Sequence, residues 1–118
     1  MLTFSNELKI LVSLKPVDMR KAIDGLNVLV IEHLQINPQE KYLFLFCNQQ
    51  RNKIKGIYWD KNGFMLIYKR LERKKFYVPK QYKANKLEIN HEQLKWLLAG
   101  FDFMNLLEHP ELSFTDYS

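Results

Sequence analysis

Short apolar runs alternate with polar, turn-forming stretches along the chain, and the spacing within each run separates strands from helices. Leu8 to Leu14 (LKILVSL) is short, aliphatic and followed by Pro16, which reads as a first strand. Met19, Ile23, Leu26, Val30 and Leu34 then recur at steps of three and four residues, with Ala22 and Leu29 beside them. That period predicts one long amphipathic helix, with Asp18 as its N-cap. Val28 and Ile31 widen the apolar face, as in a helix that lies on a sheet and is covered on more than one side.

After Pro38, YLFLFC (Tyr42 to Cys47) is apolar at every position, the pattern of a central strand buried on both faces. Lys53 to Trp59 alternates, with Ile54, Gly56 and Tyr58 on one face and Lys53, Lys55, Ile57 and Trp59 on the other. Asp60-Lys61-Asn62-Gly63 carries hairpin-turn chemistry, Asn-Gly taking positive φ at little cost, and Phe64 to Lys69 returns as the partner strand. The polar, basic stretches Lys69 to Phe76 and Pro79 to Lys86 read as loop with at most short extended pieces, the second being the expected mobile region. Asn90-His91-Glu92-Gln93 matches a capping box, Leu94, Leu97 and Leu98 form the stripe of a second helix, and Gly100 ends it.

These elements predict a single α+β domain over residues 1–118. Its sheet is mostly antiparallel, of four or five strands with a hairpin meander. One long helix packs on the sheet, and a C-terminal helix follows. The core spans about residues 8–102, and 103–118 form an acidic tail or short appended element.

Composition adds two things. At 47% hydrophobic residues the chain can build a core, and its apolar runs fall short of the ~20 residues a membrane-spanning helix needs. With one cysteine, and no basic-then-apolar leader pattern, a cytoplasmic protein without disulfides or membrane association is expected. The net charge of +5 is unevenly placed: Arg51 to Lys86 holds twelve Lys or Arg against two acids, and the rest holds six against eleven. Such a segment is what a polyanion-binding surface looks like, because each cation set on a phosphate releases a counterion. Lysines also serve sheet edges, where they discourage aggregation, and charge alone does not separate the two uses.

Candidate chemistry is sparse. Asp18, Asp24, Asp60 and Asp102 are carboxylates that a phosphodiester-cleaving metal site would need, but no two have ligand-like spacing on one element. Asp18 serves as a cap, Asp60 as a turn residue, and Asp102 follows a helix end, whereas Asp24 is placed to pair with Arg20 at i,i+4. His33, His91 and His109 are scattered and make no zinc pattern with one cysteine. Cys47 reads as a buried thiol and not a nucleophile, and none of the four glycines belongs to a phosphate loop. No metal, cofactor or catalytic residue is expected.

Several separated motifs together resemble a known family. PVDMRKAIDGL (Pro16 to Leu26), IKGIYWDKNGFMLIYKRLE (Ile54 to Glu72), Phe76 with Pro79, and QLKWLLAGFD (Gln93 to Asp102) resemble, in order and spacing, the accessory protein encoded by the second open reading frame of insertion-sequence-66 elements. That protein carries a TnpB label but is unrelated to the RNA-guided nuclease of the same label. The resemblance implies a role in DNA transposition beside a separate, larger transposase. Departures are Ala22 and Lys74, where glycine is usual, and Cys47 and Gln49, where basic residues are common.

Two functions fit. The first is a non-catalytic DNA-binding module in which Lys53, Lys55, Lys69, Arg70, Arg73, Lys74 and Lys75 contact phosphates, with Tyr58, Trp59 or Tyr68 available to stack on bases. The second is a protein-interaction module that docks on the transposase or another element-encoded protein through Arg20, Lys21 and Asp24.

Overall fold

A computed structural model describes residues 4–79 and 84–104. Five strands and two helices follow in the order β1 (Lys9–Ser13), α1 (Ile23–Leu29), β2 (Tyr42–Cys47), β3 (Lys53–Asp60), β4 (Gly63–Arg70), β5 (Lys86–Ile89) and α2 (His91–Leu98). The strands form one sheet in the order β4-β3-β2-β1-β5, and β2, the run without a polar position, lies at its centre. Its side chains divide between the two faces. Leu43, Leu45 and Cys47 join Ile10, Val12, Ile54, Leu94 and Leu97 on the α2 side. Phe44 and Phe46 join Leu11, Ile57, Leu26, Val30 and Leu34 on the α1 side.

The α+β class holds, but the sheet is mixed and not mostly antiparallel as expected. β1 and β2 run parallel, with Lys9 opposite Tyr42 and Val12 opposite Leu45, while the other three pairings are antiparallel. Parallel neighbours need a crossover, and the segment containing α1 supplies it. β5 pairs antiparallel with β1 and forms one edge of the sheet; it begins at Lys86, the last residue of the stretch read as loop, and continues through residues for which no element was expected. Residues 80–83 of that stretch lie outside the described residues, as does the tail from 105 onward.

The expected long helix is the other correction. Regular helix begins at Ile23, with Ala22 as N-cap and no side-chain cap. Asp18 is four residues too early, and its carboxylate instead accepts from the backbone N–H of Arg20 at 2.9 Å. Lys55 supplies a physical reason: its ammonium donates to the carbonyls of Met19 at 2.7 Å and Lys21 at 2.8 Å, which removes two acceptors an earlier helix would use. Met19 still packs with Ile23, Leu26, Val30 and Leu34, so the periodic stripe is real although its first residue is not helical. After Leu29 the helix widens into a π segment, Val30–Leu34, which ends at Gln35 with φ 58°. The ammonium of Lys86 donates to the Leu34 carbonyl at 2.7 Å, a cation at a helix C-terminus. Val28 and Ile31 are 47% and 56% exposed, so the expected cover on this side of the helix is absent among the described residues.

The second helix follows its sequence closely. Asn90 Oδ1 accepts from Gln93 N at 2.7 Å and Gln93 Oε1 accepts from Asn90 N at 2.8 Å, completing the capping box. At the other end Gly100 takes φ +84°, Gly100 N donates to Leu97 O and Phe101 N to Trp96 O, and the Phe101 and Trp96 rings meet 5.1 Å apart. This is a Schellman ending with its accompanying apolar contact.

The β3–β4 hairpin is present, with Asp60 opposite Gly63 and Lys61-Asn62 as the loop. Positive φ falls on Lys61 (56°) and not on the Asn-Gly pair. Gly56, in mid-strand, is required by packing: a Cβ there would lie 2.8 Å from Ile67 Cγ1 and 2.9 Å from Leu45 Cδ2. Gly56→Ala is therefore expected to destabilise the fold by about 1–3 kcal/mol through overpacking. Urea denaturation measures this, and an unchanged midpoint would show that the face yields without cost.

Candidate functional site

The strand registers bring Ser13, Cys47, Lys53, Arg70 and Lys86 to one rim of the sheet. This is the carboxyl end of the parallel pair β1–β2, the place where crevices of α/β sheets generally bind ligands. Asn48 builds the rim. Its buried side chain accepts from Asn52 N (3.1 Å) and Lys53 N (3.0 Å) and donates to Asn52 Oδ1 (2.7 Å) and Gln50 Oε1 (3.3 Å). Arg51 turns the chain with φ 62°. The carbonyls of Arg51 and Asn52 then accept from Phe76 N (2.7 Å) and Leu71 N (2.8 Å), which fastens the basic segment after β4 to the turn.

Two clefts open on this rim and share Gln49 and Gln50. The first, of about 660 Å³, lies between the Pro16–Arg20 segment and Lys53, Lys55 and Tyr68. The second, of about 760 Å³, is lined by Arg51, Arg73, Lys74, Lys75, Tyr77 and Phe101. Acids near the rim are occupied: Asp18 pairs with Arg20 at 2.6 Å and Glu72 with Arg70 at 2.9 Å. Arg51, Lys53, Arg73, Lys74 and Lys75 make no ion pair among the described residues. Lys53 also stands directly opposite Arg70 across β3–β4, a like-charge pairing that the Glu72 carboxylate on Arg70 offsets.

The structure divides the sequence candidates by what they already hold. Lys55 clamps the segment before α1, and Lys69 donates to the Leu98 carbonyl at the end of α2 at 2.7 Å. Arg70 is forked onto Glu72, which raises its pKa, and with Lys69 it also sits on the edge strand β4. Lys53, Arg73, Lys74 and Lys75 line the clefts, and Lys74 lies 5.3 Å from the Phe101 ring centre. Of the second candidate set, Arg20 lines the first cleft, Lys21 lines a smaller pocket with Lys15 and His33, and Asp24 stands in the first turn of α1. Arg20 takes Asp18, so the expected Arg20–Asp24 pair is not formed.

Among the stacking candidates, Tyr58 meets Phe4 edge-on and Trp59 meets Phe64, whereas Tyr68 is 53% exposed at the first cleft. Sequence reasoning counted Arg51 only within the basic segment and Gln49 only as a departure from the family pattern, and it passed over Gln50, Tyr77 and Phe101. Phe76 and Val78 are buried on either side of exposed Tyr77, so period-two alternation was the signal that marked it.

Asp60 closes the hairpin opposite Gly63, and Asp102 accepts from Met104 N at 3.1 Å, so both carry local structural duties. Burial pushes the Cys47 thiol up to about 11, against a smaller opposing pull from Arg51, which leaves almost no thiolate at neutral pH. Asp18 behaves oppositely: its hydrogen bonds from Arg20 hold the carboxyl at about 2, against an ordinary 3.8. The pair thus contributes to the folded state above pH 3.8 and is lost as pH falls through about 2. An NMR titration of the Asp18 carboxyl is expected to show the low midpoint, and Arg20→Ala to return it toward 3.8; a midpoint near 3.8 in both proteins would mean the pair does not persist in solution.

The family model for IS66 Orf2 like proteins (TnpB_IS66) matches residues 8–108. The uncharacterized protein y4jC of Sinorhizobium fredii is 34% identical over 106 residues, which cover 90% of each chain. The uncharacterized protein y4hO of the same organism is 31% identical over 111 residues, covering 94% of this chain and 92% of that one. No solved structure matches the chain. A family match spanning both layers of the fold and the whole described rim shows that this chain belongs to the family of IS66 Orf2 like proteins.

Proposed function

We propose that this protein assists transposition of an insertion-sequence-66-type element by binding DNA at the basic rim, without carrying out strand cleavage or joining itself. The family supports the transposition role. The observation that supports DNA as the ligand is the set of Arg51, Lys53, Arg73, Lys74 and Lys75, unpaired among the described residues and gathered around two adjoining clefts. Phosphate neutralisation of this kind gives affinity with little sequence preference.

Titrating labelled DNA, duplex and single-stranded, across a salt series tests the reading. With about five phosphates neutralised, log K for duplex falls against log salt with a slope of about −4.5. Replacing Arg73, Lys74 and Lys75 by Gln is expected to flatten that slope by about 2 to 3. Lys55 and Lys69 are left in place because both hold backbone carbonyls. Binding that is absent at low salt, or insensitive to salt, would defeat the proposal.

A second reading, docking on the transposase or another element-encoded protein, draws support from Val28 and Ile31, both exposed on the crossover helix with its π extension. Lys21 and Asp24 lie on the preceding turn and the first turn of that helix. Reversing Arg20 and Lys21 to Glu is expected to abolish transposase pull-down with the circular dichroism spectrum unchanged. Pull-down that survives the reversal would count against Arg20 and Lys21 as contacts.

A further inference from the structure

The charge on the rim accounts for phosphate binding, but not for the rings that stand beside it. Among the described residues three aromatic side chains are exposed: Tyr68 at 53%, Tyr77 at 52% and Phe101 at 47%. Each of them lines one of the two clefts. None is placed there by chance of an open loop. Tyr68 is on β4 opposite Lys55, Tyr77 is turned outward by buried Phe76 and Val78, and Phe101 is set by the Schellman ending of α2. A single half-exposed ring is ordinary on a protein surface, and it is the gathering of three at two adjoining clefts that is informative.

Cations accompany two of the rings. The Lys55 ammonium lies 5.7 Å from the Tyr68 ring centre and the Lys74 ammonium 5.3 Å from that of Phe101. The wall shared by the clefts carries the exposed side chains of Gln49 and Gln50, the second with its Oε1 already accepting from Asn48. Volumes of about 660 and 760 Å³ lie within the ~300–1,000 Å³ range of pockets that hold small organic groups. Phosphate-binding cations interleaved with half-exposed rings are the chemistry that holds unpaired nucleotides, since every base has a π-face to stack. In a duplex those faces are covered by neighbouring base pairs.

We propose that the paired clefts bind single-stranded DNA, with unpaired bases stacked on Tyr68, Tyr77 and Phe101 and the intervening phosphates held by Lys53, Arg51 and the Arg73–Lys75 run. The inference rests on the DNA-binding reading above and adds the strandedness of the DNA and the groups that read it. The amides of Gln49 and Gln50 face base edges at the wall between the two clefts.

The test compares three labelled probes with the same phosphate count per strand, using the full chain: a thymidine 20-mer, a 20-mer of abasic sites, and a 20-base-pair duplex. The thymidine strand is expected to bind at least about ten-fold more tightly than the abasic strand, because base–ring stacking contributes about five- to 150-fold per base. Tyr68→Ala and Tyr77→Ala are each expected to weaken thymidine binding about five-fold or more, leaving abasic binding and the salt slope unchanged. Tyr68→Phe and Tyr77→Phe keep the ring face and so keep the affinity. Phe101→Leu, which retains an apolar contact for Trp96, is expected to behave like the alanine variants.

Equal affinity for thymidine and abasic strands, with salt dependence intact and the alanine variants unaffected, would overturn the stacking site and leave the DNA-binding reading standing. Binding of none of the probes at low salt would overturn both. Tighter binding of a uridine 20-mer than of the thymidine 20-mer would overturn DNA as the preferred strand.

Discussion

The architecture depends on burying one strand from both sides. β2 carries Phe44 and Phe46 on one face and Leu43, Leu45 and Cys47 on the other, all buried. A strand with no polar face cannot border water, so each face of the sheet needs a covering layer. α1 with its π extension covers the first face, while α2 and the Phe76–Val78 segment cover the second. Covering the first face with a crossover also makes β1 and β2 parallel, and a parallel pair directs two carboxyl ends, with their loops, to the same rim. The position of the candidate site therefore follows from the hydrophobicity of six residues in mid-chain.

Lysine serves this fold in two ways that sequence does not tell apart. Lys55, Lys69 and Lys86 each place an ammonium on backbone carbonyls at 2.7–2.8 Å, near the start of α1, at the end of α2 and at the end of the π segment. Carbonyls at element ends lack internal partners, and a long flexible cation satisfies them while its stem covers apolar surface. These three hold separate layers together. Lys53, Arg73, Lys74 and Lys75 have no such duty among the described residues and face the clefts. A basic segment that looks uniform in sequence is thus part scaffold and part surface.

The legibility of each element tracks the range of the forces that form it. The capping box at Asn90 and Gln93, the Gly100 ending and the β3–β4 hairpin are made by residues within a few positions of one another, and all three were readable. The N-terminus of α1 was not, because the group that takes up the Met19 and Lys21 carbonyls comes from Lys55, more than thirty residues away. β5 escaped notice for a similar reason: four residues flanked by polar chain become a strand only because β1 offers an open edge. In the candidate site, charge density pointed to Lys53 and to Arg73 through Lys75. Tyr77 and Phe101 carry no charge signal, and their convergence depends on the Arg51 and Asn52 carbonyls fastening the chain after β4 and on the turn that ends α2.

By itself the sequence determined the family, the α+β class, the identity of the buried strand and the imbalance of charge along the chain. Each of these is carried by composition, local period or motif order, which need no knowledge of distant contacts. The tertiary structure alone decided that β1 and β2 are parallel, which lysines are already engaged, and that basic residues from two turns meet exposed aromatic rings across a pair of clefts. These depend on contacts between residues far apart in sequence, where cross-sheet register and carbonyl satisfaction outweigh the local preferences a linear pattern records.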